Sequence, residues 1–179
     1  MGEIRKRDGK REGFTLVEML VVVAIIAILA SILVPTVGGG LKSAKKRRAD
    51  VECQSIATAV QQFHSDFRYM PWGKYNDKKK MGDDQWADST EEQKDVMSFL
   101  QGSNVLGKAY LEVPEGKGDG VFYDPWGQAY VIGMDRNGDG QLKWNGKTFK
   151  LSVMVYSYGP DGKDGTKDDI LSFDKDSGE

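Results

Sequence analysis

Hydrophobic residues are unevenly distributed, and the longest apolar run lies near the N-terminus. Phe14 to Val34 contains 21 residues with a single charge, at Glu18. A helix of this length spans roughly 32 Å at about 1.5 Å per residue, which matches the hydrocarbon core of a bilayer. Because the run is apolar on every face, it does not suit a surface helix of a soluble domain. The pattern predicts a helix that crosses a membrane.

A second hydrophobic pattern follows, with the spacing of one helix face. Pro35 and the glycines at 38–40 first predict a kink or interruption, since proline removes a backbone donor and glycine is entropically poor in a helix. Apolar residues then recur every three or four positions, at Ala49, Cys53, Ile56, Val60, Phe63 and Phe67. This stripe predicts that a helix over 41–70 packs against a core.

After residue 120 the apolar spacing changes from helical to alternating. The alternation predicts strands over 121–123, 129–134, 141–144 and 147–156. Asp124 to Gly127 is typical of a turn, and Asn145-Gly146 is typical of a two-residue hairpin. The last strand places four apolar residues on one side, which we expect to pack on the helical stripe: Phe149, Leu151, Val153 and Val155.

The middle of the chain has weaker patterns. A segment from Thr90 to Leu100, with Thr90 as its cap and Glu91 and Glu92 in its first turn, predicts a short helix. Residues 69–86 and 114–120 are rich in turn formers and predict loops. The fold class is therefore α+β, with a long N-terminal helix packed against a small antiparallel sheet.

Composition and charge exclude several classes of protein. The 179 residues are 39% apolar and 29% charged, with a net charge of -2, which excludes a disordered or collagen-like chain and gives no electrostatic reason to expect nucleic-acid binding. The basic cluster at 42–48 is short and lacks aromatic residues, so lipid headgroups or acidic neighbouring subunits suit it better than DNA. The single cysteine, Cys53, cannot form an intrachain disulfide.

The flanks of the apolar run leave its orientation open. Five basic residues precede it within 1–13, and five more follow within 42–48. The run is longer than the usual core of a secretory signal peptide, roughly 7 to 15 residues, and no A-x-A triplet follows Val34. Glu18 is costly inside a bilayer, by about 2.5 to 3.5 kcal/mol near the centre. Either Glu18 lies at headgroup level or is protonated, or it meets a cation in an assembled state.

The string Gly13-Phe14-Thr15-Leu16-Val17-Glu18, with its basic leader, apolar helix and Pro35, resembles the class III signal of type IV pilins and type II secretion pseudopilins. The resemblance implies that a membrane-embedded aspartyl peptidase cuts between Gly13 and Phe14 and then methylates the new terminus at Phe14. It also implies a cytoplasmic N-terminus and a role for Glu18 in neutralising the terminal amine of a neighbouring subunit. Glu12 departs from the pattern, since a basic residue is common at that position.

Two further strings support the same family. Asp124 to Tyr130 is similar to the DPWG-x-x-Y string of major type II pseudopilins, and 155–162 resembles their S-x-G-x-D-G segment. The resemblance covers the first 70 residues and much of 121–171, whereas 71–120 contributes nothing to it. It implies a pilin-like fold with a leader at 1–13, a membrane and assembly helix at 14–40, and a periplasmic domain at 41–179.

The function implied is that of a major pseudopilin, which polymerises into a periplasmic fibre that drives protein export across the outer membrane. A type IV pilin that forms surface fibres is the alternative. The implied partners are other copies of the chain, a prepilin peptidase, an inner-membrane assembly platform, minor pseudopilins and membrane lipid. The chain has no nucleophile elbow, zinc-protease helix or P-loop, and His64 is its only histidine, so we expect no enzyme. A tethered calcium-binding adhesion module would have no use for the string at 13–18.

Two acidic loops are candidate calcium sites. The first places Asp135, Asn137 and Asp139 at positions 1, 3 and 5 of an EF-hand-like loop, but Gly146 stands where a bidentate glutamate is expected. Asp174 or Asp176 would have to complete such a site, and an ordinary turn explains the loop equally well.

The second loop, over 161–169, has four carboxylates in nine residues, whose mutual repulsion needs solvent or a cation. By resemblance to major pseudopilins this loop binds calcium. The ligands carried over are Asp161 and Asp168 first, followed by Asp164, Asp169 and the backbone carbonyl of Tyr158.

Overall fold

The computed structural model describes residues 14–72, 84–113 and 119–179, with only the backbone of 33–38. The predicted leader, including Gly13, and the parts of the predicted loops at 73–83 and 114–118 lie outside the described residues. The chain divides into two compact units, Met1–Lys42 and Ser43–Glu179.

The first helix, α1, runs without a break from Leu16 to Phe67. Of the two outcomes predicted at Pro35 and 38–40, a kink or an interruption, the interruption is therefore wrong, because the loss of one backbone donor and the entropy of a few glycines weaken a helix without ending it. The helix ends three residues before the predicted boundary. Arg68 has a left-handed φ of 60°, and its N–H donates to the carbonyl of His64 at 2.8 Å.

The apolar side chains of the first unit are exposed along α1 from Leu16 to Ile32. Across the helical residues whose side chains are described, no stretch is both long and apolar enough to cross a bilayer. The predicted span at 14–34 reaches into 33–38, whose side chains lie outside that description.

The second unit contains a four-stranded antiparallel sheet, a hairpin and a helix. The sheet has the order β1-β2-β5-β6, formed by β1 (Gln85–Ala87), β2 (Val131–Met134), β5 (Val153–Ser157) and β6 (Ile170–Leu171). The hairpin joins β3 (Leu142–Trp144) to β4 (Lys147–Phe149) through the predicted turn, with positive φ at both Asn145 and Gly146. The helix α2 (Thr90–Leu100) has the predicted bounds, and its cap is Ser89 rather than Thr90.

The predicted strand over 147–156 is wrong as a single element, because the structure divides it between the hairpin and the sheet. The predicted strand over 121–123 is reduced to one bridge between Tyr123 and Ala129. The short strands β1 and β6 have three and two residues and were not predicted, since periodicity needs a longer run to be recognised.

The predicted helical stripe forms the main core. Its first five members are fully buried, at Ala49, Cys53, Ile56, Val60 and Phe63, and Phe67 is partly buried. All of them except Ala49 share one apolar cluster with α2 and with Ile132, Met134, Val153 and Val155 of the central strands. The predicted α+β packing of the helix against the sheet is confirmed.

The hairpin covers a second apolar cluster. Leu142, Phe149 and Met154 are its buried members, and Trp86, Trp144, Leu151 and Phe173 pack around them. The expectation that Phe149 and Leu151 face α1 together with Val153 and Val155 is therefore wrong. Residues 150–152 break the strand alternation, so β4 and β5 are independent in register.

A fully buried glutamine fastens the segment before β2 to α2. The side-chain oxygen of Gln93 accepts from the N–H of Phe122 at 2.8 Å. Its amide nitrogen donates to the carbonyls of Phe122 at 3.1 Å and Tyr130 at 2.8 Å. These three hydrogen bonds pair backbone groups that are shielded from water. The side chain must both donate and accept, which an amide can do and a carboxylate cannot.

Gln93→Glu tests this role with a side chain of the same shape. An ionised carboxylate donates no hydrogen bond, so the Tyr130 carbonyl loses its side-chain donor, and the Phe122 carbonyl keeps only the N–H of Tyr130 at 3.3 Å. Together with the burial of a charge, this loss should cost about 3 kcal/mol. Denaturant unfolding of the full chain in detergent, followed by tryptophan fluorescence, measures this cost. Burial raises the pKa of the new carboxyl, so the deficit relative to wild type should shrink as the pH falls and the group protonates. The control is Gln101→Glu, at an exposed position, and equal stability of the two variants would contradict the role.

Candidate functional site

The predicted assembly residue, Glu18, has a local partner in the structure. Its carboxylate accepts from the backbone N–H of Thr15 at 2.8 Å and from the Thr15 hydroxyl at 2.7 Å, while the Glu18 N–H donates back to that hydroxyl at 3.3 Å. These three bonds form a capping box at the start of α1. The T-x-x-E spacing of Thr15 and Glu18 indicates this role, which was not among the predictions from the sequence. Phe14, the predicted mature terminus, is 79% exposed.

The predicted DPWG turn is built around a buried carboxylate. Asp124 is 5% exposed. One of its oxygens accepts from the N–H groups of Trp126 and Gln128, both at 2.9 Å, and the other accepts from the hydroxyl of Ser157 at 2.5 Å. Three donors thus replace the water that this charge loses on burial.

Asp124 also connects the turn to the acidic loop. Ser157 is the last residue of β5, and its hydroxyl accepts from the N–H of Gly159 at 3.0 Å. The hydrogen bond between Asp124 and Ser157, which are 33 residues apart in sequence, therefore joins the DPWG turn to the end of β5. The turn holds the start of the acidic loop in place.

The tyrosine that ends the DPWG string fixes it to α1. The hydroxyl of Tyr130 donates to Glu52 at 2.5 Å, and the same carboxylate pairs with Arg48 at 2.8 Å. Burial, followed by the hydrogen bond to Glu52 and then its charge, raises the pKa of Tyr130. The phenol therefore remains a hydrogen-bond donor to Glu52 throughout the neutral range.

In the second acidic loop, three of the predicted ligands surround one hydroxyl. The Thr166 oxygen lies 2.8 Å from Asp168, 3.0 Å from Asp169 and 3.4 Å from Asp161, measured to one carboxylate oxygen of each. A hydroxyl has one proton, so it donates to only one of these acceptors at a time. The arrangement concentrates oxygen atoms, which are the ligands that calcium prefers.

Backbone groups order these carboxylates. The N–H of Asp161 donates to Asp168 at 3.1 Å, and those of Gly165 and Thr166 donate to Asp169 at 2.9 and 3.1 Å. The Thr166 hydroxyl is the main cause that lowers the pKa of Asp168, whereas burial is the main cause that raises the pKa of Asp169.

Asp164 lies on a different side of the predicted site. Asp164 borders a cavity of about 250 Å³ together with Trp86, Trp144, Tyr156 and Tyr158. Burial and the charge of Asp164, in that order, raise the pKa values of Tyr156 and Tyr158. The structure thus groups Asp161, Asp168 and Asp169 around Thr166 and turns Asp164 towards the aromatic rings.

The first acidic loop is a series of short-range turns. Asp135 is 7% exposed and accepts from the N–H groups of Gly138 at 2.7 Å and Gly140 at 2.8 Å. Asn137 accepts from the N–H of Asp139 at 2.7 Å. The side-chain amide of Asn137 also donates to Asp139 at 3.1 Å, so its carbonyl and amide groups are both engaged within the loop.

A residue from outside the loop joins these carboxylates. Asp84, Asp135 and Asp139 each offer one oxygen, and the three atoms lie within 4.8 Å of one another. Strand register explains the approach: Gln85 of β1 pairs with Met134 of β2, so the residue before one is opposite the residue after the other. Asp174 and Asp176 were the predicted candidates for the missing ligand. Asp84 could not be predicted from the sequence, because β1 was not predicted.

Comparisons with known proteins agree with these motifs. The family profile of the prokaryotic N-terminal methylation motif matches residues 8–34. Type II secretion system core protein G of Dickeya chrysanthemi is 28% identical over 179 residues, covering 96% of this chain and 92% of that protein. The protein of the same name from Pectobacterium carotovorum subsp. carotovorum is 29% identical over 174 residues, covering 93% and 87%. The one from Escherichia coli K12 is 28% identical over 165 residues, covering 92% of each. No solved structure gives a significant match.

The methylation motif, the long N-terminal helix and the helix-on-sheet domain together define the class of prepilin-type fibre subunits. Along more than nine-tenths of its length, the chain is similar to proteins named type II secretion system core protein G.

Two glycines of the acidic loops allow a matched test of loop geometry. Gly159 has φ +68°, and a Cβ there would lie 2.3 Å from the carbonyl oxygen of Asp168. Gly138 has φ +78°, but a Cβ there would meet nothing within 4 Å. Gly138→Ala should therefore cost only the left-handed backbone strain, about 1 to 2 kcal/mol, and Gly159→Ala at least about 1 kcal/mol more. Denaturant midpoints of the full-length variants measure the difference; equal midpoints would contradict the close approach of the loop to Gly159.

Proposed function

We propose that the protein is the major structural subunit of a type II secretion pseudopilus. Copies of the chain polymerise through the N-terminal helix into a periplasmic fibre, and growth of the fibre moves secreted proteins towards the outer membrane. The observation that supports this most directly is the combination of a methylation motif at 8–34 with relatives named core protein G along more than nine-tenths of the chain. Their name favours a pseudopilin over a surface pilin.

The same motif supports a processing route. A prepilin peptidase cuts between Gly13 and Phe14 and methylates the new amine. Before assembly, the subunit is anchored in the inner membrane with its C-terminal unit in the periplasm. An assembly platform and minor pseudopilins then act on it. Mass spectrometry of the mature protein tests the route: the expected N-terminus is methylated Phe14, and a mature chain that begins at Met1 would contradict it.

The capping box gives Glu18 two successive roles in this proposal. Before assembly, the carboxylate is satisfied by Thr15 at the helix start. After cleavage, the free amine of Phe14 is a cation in apolar surroundings, where it meets Glu18 of an adjacent copy. Two charges that are each costly in an apolar medium become tolerable as a pair, and their pairing sets the register of the fibre.

Three variants separate the cap from the charge. Glu18→Gln keeps a side chain that can cap the helix but removes the charge, so it should insert normally and reduce fibre yield at least tenfold. Thr15→Val removes the cap hydroxyl and keeps the carboxylate, so its fibre yield should stay within about twofold of wild type. Glu18→Ala removes both and should resemble Glu18→Gln. Fibre yield is measured by sedimentation and immunoblot in the native host. Normal assembly of Glu18→Gln would contradict the pairing, and loss of assembly only in Thr15→Val and Glu18→Ala would assign Glu18 to capping alone.

We also propose that the second acidic loop binds calcium. Asp161 and Asp168 are the leading ligands, with Asp169 beside them at the Thr166 hydroxyl. Asp164 and the carbonyl of Tyr158 remain further candidates. The ion would offset the repulsion among the carboxylates and hold the loop that follows β5. For the first loop, the approach of Asp84 supports Asp135 and Asp139 as ligands, with Asn137 less well placed because its amide faces Asp139.

Calcium should therefore raise the Tm of the full chain in detergent, since a ligand that binds only the folded state stabilises it, by about 2.7 kcal/mol at a concentration one hundred times Kd. Magnesium at the same concentration should have a smaller effect, because it demands a tighter octahedral site. Asp168→Asn should abolish the shift if the second loop is the site, and Asp139→Asn should leave it intact. The reverse pattern would assign the ion to the first loop, and an unchanged Tm with millimolar calcium would contradict both assignments.

A further inference from the structure

The loop that follows α2, residues 101–109, is held in one conformation by a single side chain. The oxygen of Asn104 accepts from the N–H groups of Leu106 at 3.1 Å and Lys108 at 3.2 Å. Its amide donates to the carbonyls of Phe99 at 2.8 Å and Lys108 at 2.7 Å. Four hydrogen bonds from one residue at both ends of the loop indicate a preorganised structure.

This ordered loop presents two apolar side chains to solvent. Val105 is 91% exposed and Leu106 is 62% exposed. We call this pair the apolar knob. Among the described residues from Ser43 onward, only one other large hydrophobic side chain is exposed, that of Val51. Exposed apolar residues displayed together on a rigid loop are typical of a protein contact, whereas single scattered ones need no explanation.

The third exposed hydrophobic residue borders a cleft in the same unit. The cleft has a volume of about 480 Å³ and lies between α1 and residues 110–112. Val51, Thr58, Ala59 and Leu111 supply part of its wall. Asp50 and Glu112 also line it, whereas 101–109 contains one basic residue, Lys108, and no acidic one. Lys108 pairs with Asp66 at 2.6 Å, but its side chain is 53% exposed, so its charge also attracts the carboxylates of the cleft in another copy. This attraction would orient the contact, and apolar burial would stabilise it.

We propose that the apolar knob of one copy packs into this cleft of the next copy in the fibre. The inference rests on the proposed function, since most neighbours of a major fibre subunit are copies of itself. Knob and cleft are different surfaces of one chain, so their contact is head-to-tail, and such contacts generate open helical polymers. This contact gives a role to part of the segment at 71–120, which matches no family motif.

Cysteine cross-linking tests the contact directly. The double variant with Val105→Cys and Ser55→Cys has one thiol in the knob and one in the cleft of every copy. Oxidation of assembled fibres with copper-phenanthroline should produce a ladder of dimers, trimers and longer species. Either single variant should produce no ladder, because the native Cys53 is fully buried and its burial raises the pKa of its thiol. A double variant that stops at dimers, or gives no product from intact fibres, would overturn the proposal.

Apolar character is tested separately from the added thiol. The pair Val105→Ser with Leu106→Ser should lower fibre yield at least fivefold, and the pair Val105→Ile with Leu106→Met should preserve it. Both pairs should leave the Tm unchanged, since the wild-type side chains are exposed. Ser103→Ala is the control, since it changes an exposed residue of the same loop, alters no charge and retains both apolar residues. If wild type forms no fibres, the proposed function fails; if the serine pair assembles like wild type, only the knob contact fails.

Discussion

The burial of one face of α1 against the central strands is the contact on which the rest of the domain depends. It places β2 and β5 side by side at the centre of the sheet, so that both faces of these strands are covered, by α1 and α2 on one side and the hairpin on the other. The strands are antiparallel, and each ends directly before an acidic loop, at Met134 and Ser157. The two loops therefore leave the sheet at opposite ends.

Polar contacts then hold the irregular segments on this scaffold. Gln93 fixes the segment before β2 to α2, Tyr130 fixes it to Glu52 of α1, and Asp124 fixes it to Ser157. Each contact joins residues that are 29 or more positions apart, so each contributes most to stability when the core is already formed. The DPWG-x-x-Y string is thus more than a turn with a packed tryptophan. Its first and last residues connect the acidic loop to the helix that would enter the fibre.

The N-terminal motif shows how one short string serves both a monomer and a polymer. Thr15 and Glu18 satisfy helix-terminal groups within a single chain, which lowers the cost of keeping a carboxylate among apolar residues. In the proposed fibre, the same carboxylate exchanges Thr15 for a stronger partner, the amine of Phe14 in a neighbouring copy. Such an exchange requires that the first contact be weak and local, which an exposed capping box provides. In the same fibre, the apolar knob would add a second contact between copies, far along the sequence from the pairing of Phe14 with Glu18.

What the sequence determined by itself are the features set by local chemistry: the stripe on α1, the bounds of α2, the Asn145-Gly146 turn and the family motifs. Each depends on residues within one or two turns of the chain, whose spacing is visible in the sequence. The tertiary structure decided the rest. Three features depend on strand register and on which faces the core buries. They are the division of 147–156 into two strands, the position of Asp84 beside Asp135, and the position of Asp164 at the aromatic cavity. Register is fixed by long-range pairing, and no local spacing encodes it.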